Sequence, residues 1–534
     1  MVLSVLGTTS VFSVLSGCAS RGAPSQVAAN EVGIRPGPES AVTGEGRVGM
    51  TPSPLRGSAQ ALAADPGFAR HLLVRLGYGP RPGELEHLLA IGPQAWLDAQ
   101  LDPASIAQPA ALERALAERA TLRTPHPETL AAFARLQREA LASGVDQARR
   151  EEARRELAAL VRRVQGEARQ ARLLRAAYGE RVLEEALVEF WFDRFNVFGG
   201  KQTVRATVGA YELEAIRPHV LGRFRDLLGA TARHPAMLDY LDNAQSVRAG
   251  FRVPRGVALP EGVAVPRGVN ENYARELLEL HTLGVDGGYG QHDVAELARV
   301  FTGWSFDRRD PSGPTAFRFY PNRHDPAPKT LLGRPVPGAG VEQGERALDA
   351  LARHPSTARH VARALAVAFV ADVPPPTLVD RLAARFAATD GDLREVMRAL
   401  AASPEFADPA VRGAKFKTPY RYVVSVERAI GAAPGDVVPL ALACARMGMP
   451  IYGCPTPDGW KDLRETWATP DGLRQRAEFA LAAARGAGRA GLAPGELPEP
   501  VASALGPQTR RALDGVPPAE RLALALASPD FMRR

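Results

Sequence analysis

Lysine is nearly missing from this 534-residue chain: it occurs only as Lys201, Lys329, Lys415, Lys417 and Lys461, so arginine carries almost all of the positive charge. The formal net charge of +7, from 66 basic against 59 acidic residues, is a mild imbalance, and no stretch combines a basic stripe with interleaved aromatics. A nucleic-acid partner is therefore not expected. Cysteine is scarcer still, with only Cys18, Cys444 and Cys454. That excludes a disulfide-dense scaffold and leaves Cys444 and Cys454 with half a zinc coordination shell. After the N-terminus no segment has eighteen or more uncharged apolar residues, so no membrane-spanning helix is expected. Neither H-E-x-x-H nor G-x-S-x-G occurs.

What is present begins with an apolar run, "MVLSVLGTTSVFSVLSGC", ending in Leu15-Ser16-Gly17-Cys18. It resembles the bacterial lipobox, in which small residues precede a cysteine whose thiol receives the lipid. The run is too short to span a bilayer and reads as a targeting segment over residues 1–18, although no Lys or Arg precedes it. A diacylated Cys18 would anchor the protein stably to a membrane at the cell envelope. Ala19 stands where an aspartate commonly retains lipoproteins at the inner membrane, which favours the outer membrane. Residues 19–64 are rich in Gly, Ser and Pro and read as a tether, with the body at 65–534. Outside the cytoplasm Cys444 and Cys454 could close a small disulfide loop; the alternative is two buried thiols.

The body reads as predominantly α: one large multi-helix body with a single small β-hairpin near residues 315–333, where Ala316–Tyr320 alternates and Lys329–Leu332 could pair with it. The longest helical stretch runs from about 128 to 198 with a break at Ser143-Gly144, and its Arg/Glu-rich middle reads as a solvated face. "ALAASPEF" (399–406) and "LALASPDF" (524–531) repeat a cap signature: Ser at the N-cap, Pro at the first helical position, then an acid. The His-Asp pairs at 292–293 and 324–325 lie at a helix start and in a loop, which suits an HD-type phosphohydrolase poorly. "DGWKDLRETW" sets Trp460 and Trp467 beside Asp458 and Asp462, a combination that serves sugar recognition when exposed and ordinary packing when buried.

The densest polar group is "VNENYARELLELHTLG" (269–284). With Asn270 as N-cap and Gly284 just past the end, it predicts a helix of about fourteen residues. Asn272, Glu276 and Glu279 then share one face, Glu271 can pair with Arg275, and His281 lies about 140° round the axis from Glu276. His324, Asp325 and Lys329 follow on a Pro-rich loop. Folded over Glu276 and Glu279, they would make a carboxylate-rich pocket for general acid–base chemistry, with Glu276, Glu279, His324 and Asp325 able to hold a divalent metal ion. The competing reading has these acids paired with buried arginines such as Arg217 and Arg299 to fix helix packing.

Long ordered stretches carry a resemblance: "HLLVRLGYGPRPGEL" (71–85), "FWFDRFNV" (190–197), "YELEAIRPHVLGRFRDLLGATARHPAMLDYLDN" (211–243), "NENYARELLELHTLGVDGGYGQHDVAELARVFTGW" (270–304), "KFKTPYRYVVSVERA" (415–429) and "SPDFMRR" (528–534). On these the chain resembles the bacterial DUF1800 family of large exported proteins. Where similar proteins commonly carry Asn-His after the tryptophan, this chain has Asp193-Arg194, so any role of that histidine is absent here. The resemblance implies a protein partner from a second exported family, DUF1501. Two functions are thus expected: a hydrolase or metal-assisted enzyme acting on an envelope polymer, or a non-catalytic assembly partner of another exported protein.

Overall fold

The computed structural model describes residues 65–253, 268–310 and 315–534; the leader, Cys18 and the tether at 19–64 lie outside the described residues. Twenty-four α-helices and two two-stranded antiparallel sheets make up the described body, which is predominantly α as the sequence predicts.

Local chemistry explains many of the boundaries. The repeated cap signature starts a helix at one of its two places: Ser403 Oγ accepts from Phe406 N ahead of the short helix Pro404–Ala407, whereas Ser528 Oγ accepts from Phe531 N in a turn, both at 3.2 Å. Two histidines cap in the same way before a proline, His234 Nδ1 accepting from Ala236 N (3.1 Å) and His354 Nδ1 from Ser356 N (3.2 Å). Helix α1 (Gln147–Tyr178) follows a break at 142–146. Its first half is largely exposed and laced by Arg149, which pairs with Glu139, Glu152 and Glu156; its second half enters the core with Leu173, Leu174 and Tyr178. Helix α2 (Val182–Arg194) then runs through the core.

Two expectations are corrected. The strand at Phe317–Phe319 (β2) pairs with Trp304–Phe306 (β1), while Thr330–Leu331 (β3) turns back on Arg334–Pro335 (β4), so 315–333 is not one hairpin. Buried β1 offers β2 an apolar partner, with Trp304 packed edge-on to Phe317 at 5.2 Å between ring centroids. Helix α3 (Asn272–Glu276) is short and passes into a π-helix at Leu277–His281, in place of fourteen α-helical residues, although Asn270 Oδ1 does accept from Asn272 N (2.9 Å) at its start. The cause is local: Thr282 Oγ1 donates to Leu277 O (2.6 Å) and Gly284 N to Leu278 O (3.1 Å), which draws the last turn wide. Gly284 is required there, with φ +84° and a Cβ position 2.6 Å from His360 Nδ1. Helix α4 (Gln291–Val300) is capped at Gly290, whose N–H donates to Asp293 Oδ2 (2.9 Å).

Candidate functional site

The sequence-predicted site divides into two groups. His324, Asp325 and Lys329 form a buried knot with Arg299, Glu296 and Gln343. Lys329 is 2% exposed, and its Nζ donates to the carbonyls of Asp325 and Ala327 and to Gln343 Oε1 (2.7 Å). His324 Nδ1–H donates to Thr302 O (2.9 Å) and its Nε2 lies 3.1 Å from Gln343 Oε1. Burial pushes both the Lys329 ammonium and the His324 imidazole below their ordinary pKa values. Burial opposes the Asp325 carboxylate, yet hydrogen bonds from Arg299 and from Ala327 N hold its pKa down. The knot's polar side chains are engaged in structure.

Glu276 and Glu279 lie elsewhere. Among the described residues no hydrogen bond or ion pair joins them to His324, Asp325 or Lys329, and the four proposed metal ligands do not form one ligand set. Nor do they pair with Arg217 or Arg299: Arg217 binds Glu185 and Glu212, and Arg299 binds Glu296 and Asp325. Glu271 and Arg275 do pair, at 3.0 Å. His281 is buried against the Phe195 ring, 4.8 Å between centroids.

Glu276 is close enough to Glu279 and to Asp458, in the loop 454–461, to feel their charges. Burial, then Glu279 and Asp458, raise the Glu276 pKa, with Arg275 opposing. Asp458 moves the other way: burial works against its charge, but hydrogen bonds from Lys461 (2.5 Å) and Thr456 keep it ionised. Two neighbouring carboxyl groups are thus driven apart in pKa, the arrangement that lets one act as acid and the other as base.

The same loop covers the end of α2, where a residue missed as an acid stands. On α2 a spacing of four aligns Glu185, Glu189 and Asp193 along one stripe. Glu185 receives both nitrogens of Arg217 (2.5 and 3.0 Å), and Glu189 lies 3.0 Å from Arg421 Nη2. Asp193 has no ion-pair partner among the described residues. Burial lifts its pKa to about 8; Arg172 opposes this, while Glu189 and Asp462 add to it. The loop reaches Asp193 through Gly459, whose φ is +66° and whose Cβ would sit 2.2 Å from Asp193 O, so only glycine fits. Asn196 fastens the loop by donating to Cys454 O (3.1 Å) and Thr456 O (2.7 Å), leaving its buried Oδ1 unpartnered. Between them is a niche of about 20 Å³ lined by Asp193, Asn196, Arg172, Tyr420, Tyr452 and the partly exposed Trp460. That volume holds one water molecule. Arg194 turns away, donating to Leu280 O (2.8 Å) and to His360 Nε2, and so anchors the π-helix.

Cys444 and Cys454 are free thiols, which corrects the disulfide expectation: Cys454 Sγ instead contacts Thr456 O (3.7 Å) and Oγ1 (3.6 Å). The carbohydrate-style tryptophan pair is half realised, since Trp467 is buried against Trp460 at 5.9 Å between centroids.

One three-residue set among the described residues converges closely enough for a metal: His126, Glu214 and His234, with ligand atoms within 4.8 Å of one another. The tautomers oppose coordination. His126 Nε2 accepts from Ala316 N (3.2 Å), so its proton is on Nδ1 and points to Glu214 Oε2 (2.6 Å). His234 Nδ1 is spent on Ala236 N, so its buried Nε2 carries the proton. Metal-bound histidines donate through their second nitrogen, whereas both of these accept through it.

No curated protein matches the chain, and no solved structure does. A family model described as "Protein of unknown function (DUF1800)" matches residues 71–533. That span takes in the knot, the loop 454–461 and all of α2, and the chain therefore belongs to the DUF1800 family.

Proposed function

We propose that the protein is an exported, lipid-anchored hydrolase of a glycan polymer of the cell envelope. In this reading Asp193 is the acid–base group that meets the reacting water, and Glu276 and Asp458 are the flanking acid and carboxylate. The observation that carries it is Asp193 itself: a carboxyl with no ion-pair partner among the described residues, held by the Trp460 backbone N–H and with a pKa raised to about 8, beside a one-water niche and the unspent Asn196 Oδ1. A general acid or base works best when its pKa lies near the operating pH. Partly exposed Trp460 at the same niche supplies an aromatic face against which a sugar ring can lie. The lipobox-like ending at Cys18 supports export and anchoring.

The test is release of reducing ends from purified envelope polysaccharides by the full chain and by Asp193→Asn and Glu276→Gln. Wild-type release, with a loss of at least about 100-fold in each folded variant, is expected. Undiminished release by the variants would refute the assigned residues. Folded wild-type protein inert on every polymer would refute the hydrolase reading and favour assembly with an exported DUF1501 partner.

A further inference from the structure

We infer a second site, lined by residues other than those of the Asp193 niche: a cleft for a single-chain alkyl carboxylate. A short antiparallel pairing builds its floor, with Lys417 N donating to Met532 O (2.9 Å), Arg534 N to Lys415 O (2.8 Å), and Phe416 opposite Arg533. Side chains alternate across such a pairing. Lys415, Lys417 and Arg534 therefore turn inward, each no more than 3% exposed, while Phe416 and Arg533 turn to the cleft.

The cleft has a volume of about 420 Å³, and Phe416, Leu473, Ala527 and Met532 give it an apolar lining. Small-molecule sites typically occupy this size range and pair an apolar lining with few polar groups. Two arginines complete it, Arg464 and Arg533, both exposed. In a chain whose arginines are widely paired, neither guanidinium makes a hydrogen bond or ion pair with any described residue. Two uncommitted forks over an apolar trough complement one ligand chemistry, a carboxylate head on an unbranched apolar tail. The trough's size suits one chain, which selects a fatty-acid-like anion over a two-tailed lipid. This site is independent of the hydrolase reading.

Calorimetric titration of the full chain with decanoate, decan-1-ol and decyltrimethylammonium, all below micelle-forming concentrations, tests it. Decanoate is expected to bind one to one, at least about tenfold more tightly than the other two, because charge-assisted hydrogen bonds select the carboxylate. Arg464→Ala/Arg533→Ala alters only exposed side chains and should lose that preference; Ala527→Trp, which fills the trough, should lose binding of all three. Absence of saturable decanoate binding, equal affinity for the three probes, or unchanged binding by both variants would overturn the inference.

Discussion

The knot around Lys329 and the face around Asp193 are built from the same kinds of residues, and they differ in how much of their hydrogen-bonding capacity is spent. Lys329 gives its ammonium to three oxygens, and Arg299 holds both Glu296 and Asp325. Asp193 has no ion-pair partner and Asn196 Oδ1 no donor among the described residues. A saturated network fixes geometry, because every group that moved would leave a buried partner unpaired. A carboxyl without an ion-pair partner, its pKa raised by burial and opposed only by Arg172 and a backbone N–H of Trp460, retains a proton to exchange. A cluster of charged residues in a sequence therefore says little about chemistry until its partners are counted.

The contrast can be broken first at the knot. Lys329→Met should cost about 3–5 kcal/mol in urea unfolding, since it strands the acceptors that Lys329 satisfies; a change within about 1 kcal/mol would contradict the account of the knot. Gly459→Ala comes next, at about 2 kcal/mol, because a methyl group must displace the loop from Asp193 O. The emission of Trp460 should shift with it, and an unshifted, fully stable variant would show that the loop does not rest on α2.

A smaller effect sharpens the comparison from the other side. The folded-state pKa of Asp193 is raised, so between about pH 4 and 8 the folded protein binds the extra proton and the stability from this group is lost as pH rises. Asp193→Asn, which cannot ionise, should give a flatter melting temperature against pH and exceed the wild type at pH 9. Parallel profiles for the two proteins would contradict this. Smallest of all, Arg275→Ala should change stability by no more than about 0.5 kcal/mol, because its pair with Glu271 is an exposed i, i+4 contact.

Features set by near neighbours in the chain were legible. The Ser403 cap, the Glu271–Arg275 pair and the exposed Arg/Glu half of α1 all follow from three- and four-residue spacing, and each stands in the structure, while Ser528 makes the same hydrogen bond in a turn. The pairing of β1 with β2 was not, because Trp304–Phe306 is buried throughout and shows no alternation. The π-helix was hidden for a similar reason: it depends on Thr282 reaching the Leu277 carbonyl, a choice that helical periodicity does not encode. Grouping Glu276 with His324 failed on tertiary placement, since Arg299 and Gln343 claim the loop at 324–329. The stripe Glu185, Glu189, Asp193 was readable as three acids four residues apart within a helix whose other charged residues are Glu184 and Arg194. What its spacing could not reveal is that Arg217 and Arg421 answer the first two and leave the third without an ion-pair partner among the described residues.

The central claim is that Asp193 holds a proton at neutral pH. Following the side-chain carboxyl carbon of Asp193 by NMR through a pH titration, assigned by its absence in Asp193→Asn, tests that claim most directly. A midpoint of about 8 is the result the account predicts; a midpoint near the ordinary aspartate value of about 4 would contradict it.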